Sequence, residues 1–325
     1  MNAHAAMPLL VLASSLVPGL VIFALPEDWR WQRTLLNLAG ALAKLLLIGE
    51  EEAIVAVVHA PGLTDEIARR AWWAMPTIEN ARRMLEKEQV ARGGMGPVLA
   101  DFLIEHLPFE ENPTAIMETV RWLLHYDLVT PENQITLWNR GRDQGAYYIG
   151  FLEQRADTLP KQLPARANYV AVKKRLQPLL DKQNPFALEL SRLFSGPGQS
   201  FLSGCEEFMQ RPGTHEIVTL FLQAVANYFA RFAGLVNKSR SLEQWPAANP
   251  ILSDAAANAL KELHDAVPEL NREIEAMLML ATVDYELAAP ILRRTTAVNA
   301  LLRTKLQPVF APLAAQIRVL RGSGA

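Results

Sequence analysis

The pattern of hydrophobic and polar positions predicts helices along most of this chain. Between Gly49 and Leu152 apolar residues recur at intervals of three and four, as at Ile116, Val120 and Leu124. This spacing is that of one face of an α-helix. Stretches with the strict alternation of a half-buried strand are almost absent. The sequence therefore predicts an all-α fold.

Capping residues mark where several of these helices begin. A side-chain oxygen at the N-cap accepts a hydrogen bond from a free backbone N–H, and proline suits the first helical position. Such starts occur at Thr64, Thr77, Asn112-Pro113, Thr130-Pro131 and Asn184-Pro185. Short helices joined by connections of a few residues are typical of a stacked array of the HEAT or armadillo type.

Changes in composition divide the chain into three predicted parts. Residues 1–48 form an apolar N-terminal segment, 49–155 the helical array, and 168–320 a second helical domain. Two prolines and mixed charges interrupt the helical pattern at 155–166, which predicts a linker there.

The run Met7–Pro26 contains no charged residue. A helix of this length can cross a bilayer core of about 30 Å, so the run is either a membrane anchor or a buried helix. Arg30 and Arg33 follow it. The positive-inside rule therefore predicts that the rest of the chain lies in the cytoplasm, anchored to the inner membrane if the run spans.

Charge and composition exclude several classes of protein. The 325 residues carry 32 Lys and Arg against 34 Asp and Glu, giving a formal net charge of -2. Binding to DNA by bulk electrostatics needs a basic face and is not expected, whereas a local patch for RNA stays open. Half of the residues are hydrophobic and only one is cysteine, which excludes a disordered chain and a disulfide scaffold.

The single cysteine is the one candidate nucleophile. Cys205 lies in the glycine-rich stretch SGPGQSFLSGCEEF, which predicts an exposed turn, and is followed by Glu206 and Glu207. Neighbouring carboxylates disfavour the reactive thiolate. We therefore interpret Cys205 as a cysteine without a chemical role. The alternative is that its thiol transfers sulfur.

Metal and cofactor chemistry has no sequence support. His215-Glu216 begins like a zinc-protease helix, but Thr219 stands where the second histidine ligand is needed. The other histidines are scattered and form no ligand pair. We therefore predict no metal, no cofactor and no catalytic residues, and expect a protein that is not an enzyme.

Aromatic and arginine side chains are the best candidates for partner binding, because these residue types dominate interface energetics. Adjacent residues of a helix point about 100° apart, so one tryptophan of a Trp-Trp pair should face the core and the other the surface. The predicted contact residues are Arg69, Arg70, Trp72, Trp73, Arg142, Tyr147 and Tyr148.

A glycine-rich turn is a second candidate binding site. Arg92-Gly93-Gly94-Met95-Gly96-Pro97 leads into a predicted helix. Its free amides could hold an anion, or its glycines could serve a tight corner between packed helices.

Three stretches carry a resemblance to a known family. They read LLLIGEEEAIVAVVHAPGLTDEIARRAWWAMPTIENARRML, GGMGPVLADFLIEHLPFEENPTAIMETVRWLL and LWNRGRDQGAYYIGFL. Over about residues 45–325 the chain resembles the DsrS family. These are accessory proteins encoded with dissimilatory sulfite reductase genes in sulfur bacteria. This resemblance implies a cytoplasmic helical protein with a supporting or regulatory role, and a protein partner from the sulfur-oxidation machinery.

The N-terminal residues 1–45 instead resemble the first membrane segment of a complex I-type proton-antiporter subunit, which implies anchoring. The whole sequence thus predicts a non-enzymatic accessory protein of dissimilatory sulfur metabolism that binds another macromolecule. The alternatives are a thiol-dependent sulfur carrier or transferase using Cys205, and a membrane-tethered helical scaffold.

Overall fold

The computed structural model describes residues 40–238, 242, 245 and 250–322. Within these residues the fold is all-α, as predicted, and the single β-type pairing is an isolated antiparallel bridge between Val236 and Ile251. The chain divides into two compact units between Leu99 and Ala100. The run Met7–Pro26 and the rest of residues 1–39 lie outside the described residues, so the predicted apolar N-terminal helix is described only over 40–46, which are helical.

The first unit contains short helices, and side chains cap the starts of two of them. Thr64 accepts a hydrogen bond from the Ile67 amide, and Thr77 from the Asn80 amide, as the sequence predicted. The second helix packs against the first, the third and the fourth. After the helical residues 40–46, the helices are α1 (Glu51–His59), α2 (Asp65–Ala74), α3 (Ile78–Leu85), α4 (Glu88–Ala91) and α5 (Met95–His106), and the unit boundary falls within α5.

The second unit continues with short helices and 3-10 turns. Asn112, Thr130 and Asn184 cap helix starts with proline at the first position, again as predicted. The α-helices are α6 (Pro113–His125), α7 (Pro131–Arg140), α8 (Ala146–Gln154), α9 (Tyr169–Asp181), α10 (Pro185–Phe194), α11 (Gly196–Gln210), α12 (His215–Tyr228), α13 (Asp254–Ala266), α14 (Asn271–Ala281), α15 (Ala289–Leu292), α16 (Asn299–Lys305) and α17 (Gln307–Arg321).

Helix α8 is the centre of the second unit. Its residues from Ala146 to Leu152 are all buried, and it packs against α6, α7, α11 and α12. Trp138 of α7 contacts the rings of Tyr148 and Phe151 edge-on. Gly150 allows the close approach of α6, because a Cβ there would lie 2.6 Å from the Cγ1 atom of Val120.

The segment 155–166 interrupts the helices, as predicted, but long-range contacts hold it within the second unit. Arg155 donates to the Leu124 carbonyl at 2.8 Å, and Asp157 pairs with Arg192 at 2.8 Å. Farther along, Arg166 pairs with Glu273 at 2.6 Å. The division between compact units therefore falls at Leu99 rather than in this segment.

Helix α11 corrects the prediction of an exposed turn around Cys205. Ser195 caps this helix and Pro197 stands in its first turn, so the stretch starts as a helix. Its glycines permit close packing, since a Cβ at Gly204 would lie 3.0 Å from the Trp138 ring. The apolar residues between His215 and Val236 predict one continuous helix, whereas α12 ends at Tyr228.

None of the helices within the described ranges combines the length and the apolar character that crossing a membrane requires.

Candidate functional site

One face of α2 presents charged and aromatic side chains to solvent. Glu66, Arg69, Arg70 and Trp73 follow the spacing i, i+3, i+4 and i+7, so they share one side of the helix. We call these four residues the α2 exposed face. The helix buries other positions, namely Ile67, Ala68 and Ala71. The sequence forms this face because the three small or branched apolar residues direct the remaining side chains outward.

The α2 exposed face combines an open tryptophan with a surplus of positive charge. Trp73 is 83% exposed, whereas its neighbour Trp72 is half-buried, in agreement with the predicted division of the pair. Arg70 pairs with Glu66 at 3.0 Å, and Arg69 pairs with the same carboxylate. One carboxylate thus serves two guanidinium groups, and the face carries a net charge of about one positive unit beside a large apolar ring.

The remaining predicted contact residues lie in the second unit, and two of them are buried. Tyr147 donates to the Leu107 carbonyl at 3.2 Å, and Tyr148 donates to Glu207 at 2.9 Å. Burial raises the pKa of both phenols. The structure therefore excludes both tyrosines from an exposed contact surface, because α8 is enclosed by neighbouring helices, and leaves Arg142 exposed.

The glycine turn before α5 is occupied by a side chain of the same unit. The Asp65 carboxylate accepts a hydrogen bond from the Met95 amide at 2.9 Å. A Cβ at Gly93 would lie 2.3 Å from the Asp65 Oδ1 atom, so glycine is needed for this approach. Both interpretations of the turn therefore apply. Its glycines allow close packing, and the anion that its amides bind is the Asp65 carboxylate of the same unit.

Cys205 is enclosed within α11 and is 1% exposed. Burial, followed by the nearby Glu206 carboxylate, raises the pKa of its thiol. Both effects disfavour the thiolate, which is the form that attacks sulfur or carbon. Cys205 is therefore a core residue, and its surroundings oppose the thiolate that a sulfur carrier needs.

Sequence reasoning missed a buried carboxyl group on α10. Glu189 is 0% exposed, and Arg192 approaches its Oε1 atom at 3.4 Å while Arg231 approaches Oε2 at 3.7 Å. Arg192 is mainly committed elsewhere, to the Tyr228 carbonyl and to Asp157. The Oε2 atom has no hydrogen-bond partner.

The surroundings of Glu189 favour its neutral form. Burial raises the pKa of Glu189 to about 7, against the opposing effect of Arg192 and Arg231. The signal for this group is the sequence PFALELSRLF, in which one glutamate stands among apolar positions of a helix. A carboxyl buried in this way titrates within the neutral range.

Arg192 also lines a cavity of about 320 Å³, together with residues that include Arg155, Asp157 and Tyr228. The Arg192 guanidinium stacks on the Tyr228 ring at 3.6 Å and forms two hydrogen bonds with Asp157 at 2.8 Å. The polar groups of the wall thus pair mainly with one another. Such an arrangement fixes 155–158 against α10 and α12.

Groups of three or more His, Cys, Asp or Glu side chains able to hold a metal ion do not occur in the described part of the chain.

Comparison with known proteins gives no information about the role of these residues. The chain matches no protein-family model, no curated protein and no solved structure. The resemblance to the DsrS family therefore stays a prediction from the sequence segments given above.

Proposed function

We propose that this chain is a non-enzymatic accessory protein of dissimilatory sulfur metabolism, which acts in the cytoplasm by binding a protein of the sulfur-oxidation machinery. The observation that carries the proposal is the α2 exposed face, where Trp73 is 83% exposed beside two arginines. Tryptophan and arginine are the residue types most enriched among those that dominate binding energy.

The chemistry of this face favours a protein partner over RNA. Glu66 neutralises part of the charge of Arg69 and Arg70, which weakens attraction to a phosphate backbone. A protein surface with an apolar pocket for the indole and a carboxylate at its rim satisfies both parts of the face. The expected partner surface is therefore apolar with acidic edges.

The alternative of a sulfur carrier has no supporting geometry, because Cys205 is buried within α11 and its pKa is raised. Transfer through this thiol requires both exposure and a thiolate. The binding role is therefore the function that we retain.

Affinity capture from sulfur-oxidising cells tests the proposal. The bait is the tagged full chain, and its variants are Trp73→Ala and, as a matched control, Phe109→Ala, which removes another exposed aromatic ring. We expect the wild type and the Phe109 variant to capture components of the dissimilatory sulfite reductase system. Loss of a central tryptophan typically costs at least about 2 kcal/mol, so Trp73→Ala should weaken capture by roughly 30-fold.

Two results would contradict the proposal. One is a capture profile for the wild type equal to that of an empty resin. The other is equal capture of sulfur-oxidation proteins by the wild type and the Trp73 variant. Recovery of RNA that persists after the proteins are removed would favour the RNA alternative and also overturn the proposal.

A further inference from the structure

The second unit carries a groove that is independent of the α2 exposed face. It lies between α11, α16 and α17 and encloses about 550 Å³. We call it the α11–α17 groove. Its volume falls within the range of about 300–1,000 Å³ that is typical of small-molecule sites. We propose that the α11–α17 groove binds a small organic anion with an apolar body.

Positive charge exceeds negative charge in the lining of this groove. Arg303, Arg318 and Arg321 face Glu206 and Glu207. Glu206 is shared, since Arg321 pairs with its Oε2 atom and Arg318 lies 4.0 Å from its Oε1 atom. One carboxylate thus balances two guanidinium groups.

Glu207 is engaged at the inner end of the groove. It accepts hydrogen bonds from Tyr148 at 2.9 Å, from Ser203 at 3.4 Å and from Lys161. Although burial acts in the opposite direction, the hydrogen bonds from Lys161 and Tyr148 hold the pKa of Glu207 below its usual value. Lys161 balances its charge, so Glu207 leaves the positive surplus of the groove unchanged.

Arg303 is the group that we expect to meet the anion. Its Nη1 atom lies 3.4 Å from the Gln210 carbonyl oxygen and 3.3 Å from the Gln210 Oε1 atom, which are long contacts with neutral acceptors. Among the described residues, no carboxylate forms an ion pair with Arg303. A guanidinium with neutral partners retains the planar set of donors that binds a carboxylate or phosphate with two hydrogen bonds.

The floor of the groove is apolar. Met209 and Phe310 are buried beneath it, and Ala311 and Ala314 line the α17 side. Small alanine side chains leave room above the floor, where an aliphatic or aromatic group can remove apolar surface from water. The occupant therefore needs an anionic group for Arg303 and an apolar body for the floor.

Fluorescence titration with 8-anilinonaphthalene-1-sulfonate, an aromatic anion, tests the site. We expect saturable binding to the full chain that is weakened at least 10-fold by Arg303→Gln and less by Arg303→Lys, which keeps the charge. Arg294→Gln removes an exposed arginine outside the groove lining and should leave binding unchanged. Melting curves of each variant establish that the fold is retained.

Competition separates the two parts of the proposed ligand. Octanoate should displace the probe, whereas octylamine and inorganic phosphate should do so at least 10-fold less well. Probe binding that is insensitive to Arg303→Gln, or absent, would overturn the proposal. Displacement by phosphate or by octylamine as effective as that by octanoate would also overturn it, because one of the two recognition elements would then have no role.

Discussion

Replacing Glu189 by glutamine removes a buried ionisable group without changing its shape. The carboxyl is 0% exposed, and its two arginine neighbours lie at 3.4 and 3.7 Å. Burying a charge is costly unless close hydrogen bonds compensate it. We therefore predict that Glu189→Gln stabilises the second unit above neutral pH.

The pKa difference between the two states gives the magnitude and its sign. The pKa of Glu189 is raised from 4.5 to about 7 in the folded protein. Between these values the folded state keeps a proton that the unfolded state has lost, so this group lowers stability as the pH rises from about 4.5 to about 7. A tenfold change in proton affinity corresponds to about 1.4 kcal/mol, so the full effect is about 3 kcal/mol.

Urea unfolding followed by circular dichroism at pH 5 and pH 8 measures this effect. We expect the free energy of unfolding of Glu189→Gln to differ from that of the wild type by less than about 1 kcal/mol at pH 5. At pH 8 the variant should be more stable by about 2–3 kcal/mol. In the variant, the glutamine carbonyl oxygen can still accept a hydrogen bond from Arg192 or Arg231, so the arginines lose little.

Glu262→Gln is the matched control, because Glu262 is exposed on α13. Its effect should be small, within about 0.5 kcal/mol, and nearly the same at both pH values. A Glu189 variant that is less stable than the wild type at pH 8 would refute the reasoning. That result would mean that the ion pairs with Arg192 and Arg231 outweigh the cost of burial.

Three further predictions concern packing and reactivity. Gly150→Ala forces a Cβ within 2.6 Å of Val120, so it should lower the free energy of unfolding by about 1–3 kcal/mol, measured with urea. Asp65→Ala removes the hydrogen bond to the Met95 amide and should cost about 1 kcal/mol by the same assay. Iodoacetamide should label Cys205 at neutral pH only after unfolding, and rapid labelling of the native protein by mass spectrometry would contradict its placement in the core.

Local features of the sequence predicted the helices well because their causes are local. The caps at Thr64 and Asn184 act within three residues of the chain, and apolar spacing marks the buried face of α6. The all-α fold follows from such short-range patterns.

Long-range contacts explain where the structure differs from the sequence predictions. The prolines and charges of 155–166 resemble a linker, but Asp157 pairs with Arg192 and Lys161 with Glu207, far along the chain. The stretch around Cys205 is rich in glycine, and it forms α11 because glycines such as Gly204 allow close packing against Trp138. Tertiary packing overrode local propensity in the stretch around Cys205.

The candidate contact residues were predicted only in part, because local spacing is visible in the sequence and long-range packing is not. The spacing of Arg69, Arg70 and Trp73 on one helix placed them on one face, which sequence can establish. The burial of Tyr147 and Tyr148 depends on the helices that surround α8. Glu189 was missed because its significance depends on partners from other elements, such as Arg231.

Photo-crosslinking from position 73 tests the central claim most directly. The photoreactive residue p-benzoylphenylalanine replaces Trp73 in one strain of sulfur-oxidising cells and Phe109, another exposed aromatic residue, in a second. Irradiation followed by mass spectrometry should identify a component of the dissimilatory sulfur machinery attached at position 73, with no such adduct at position 109. Absence of a protein adduct at position 73, or the same adducts in equal yield at both positions, would contradict the account.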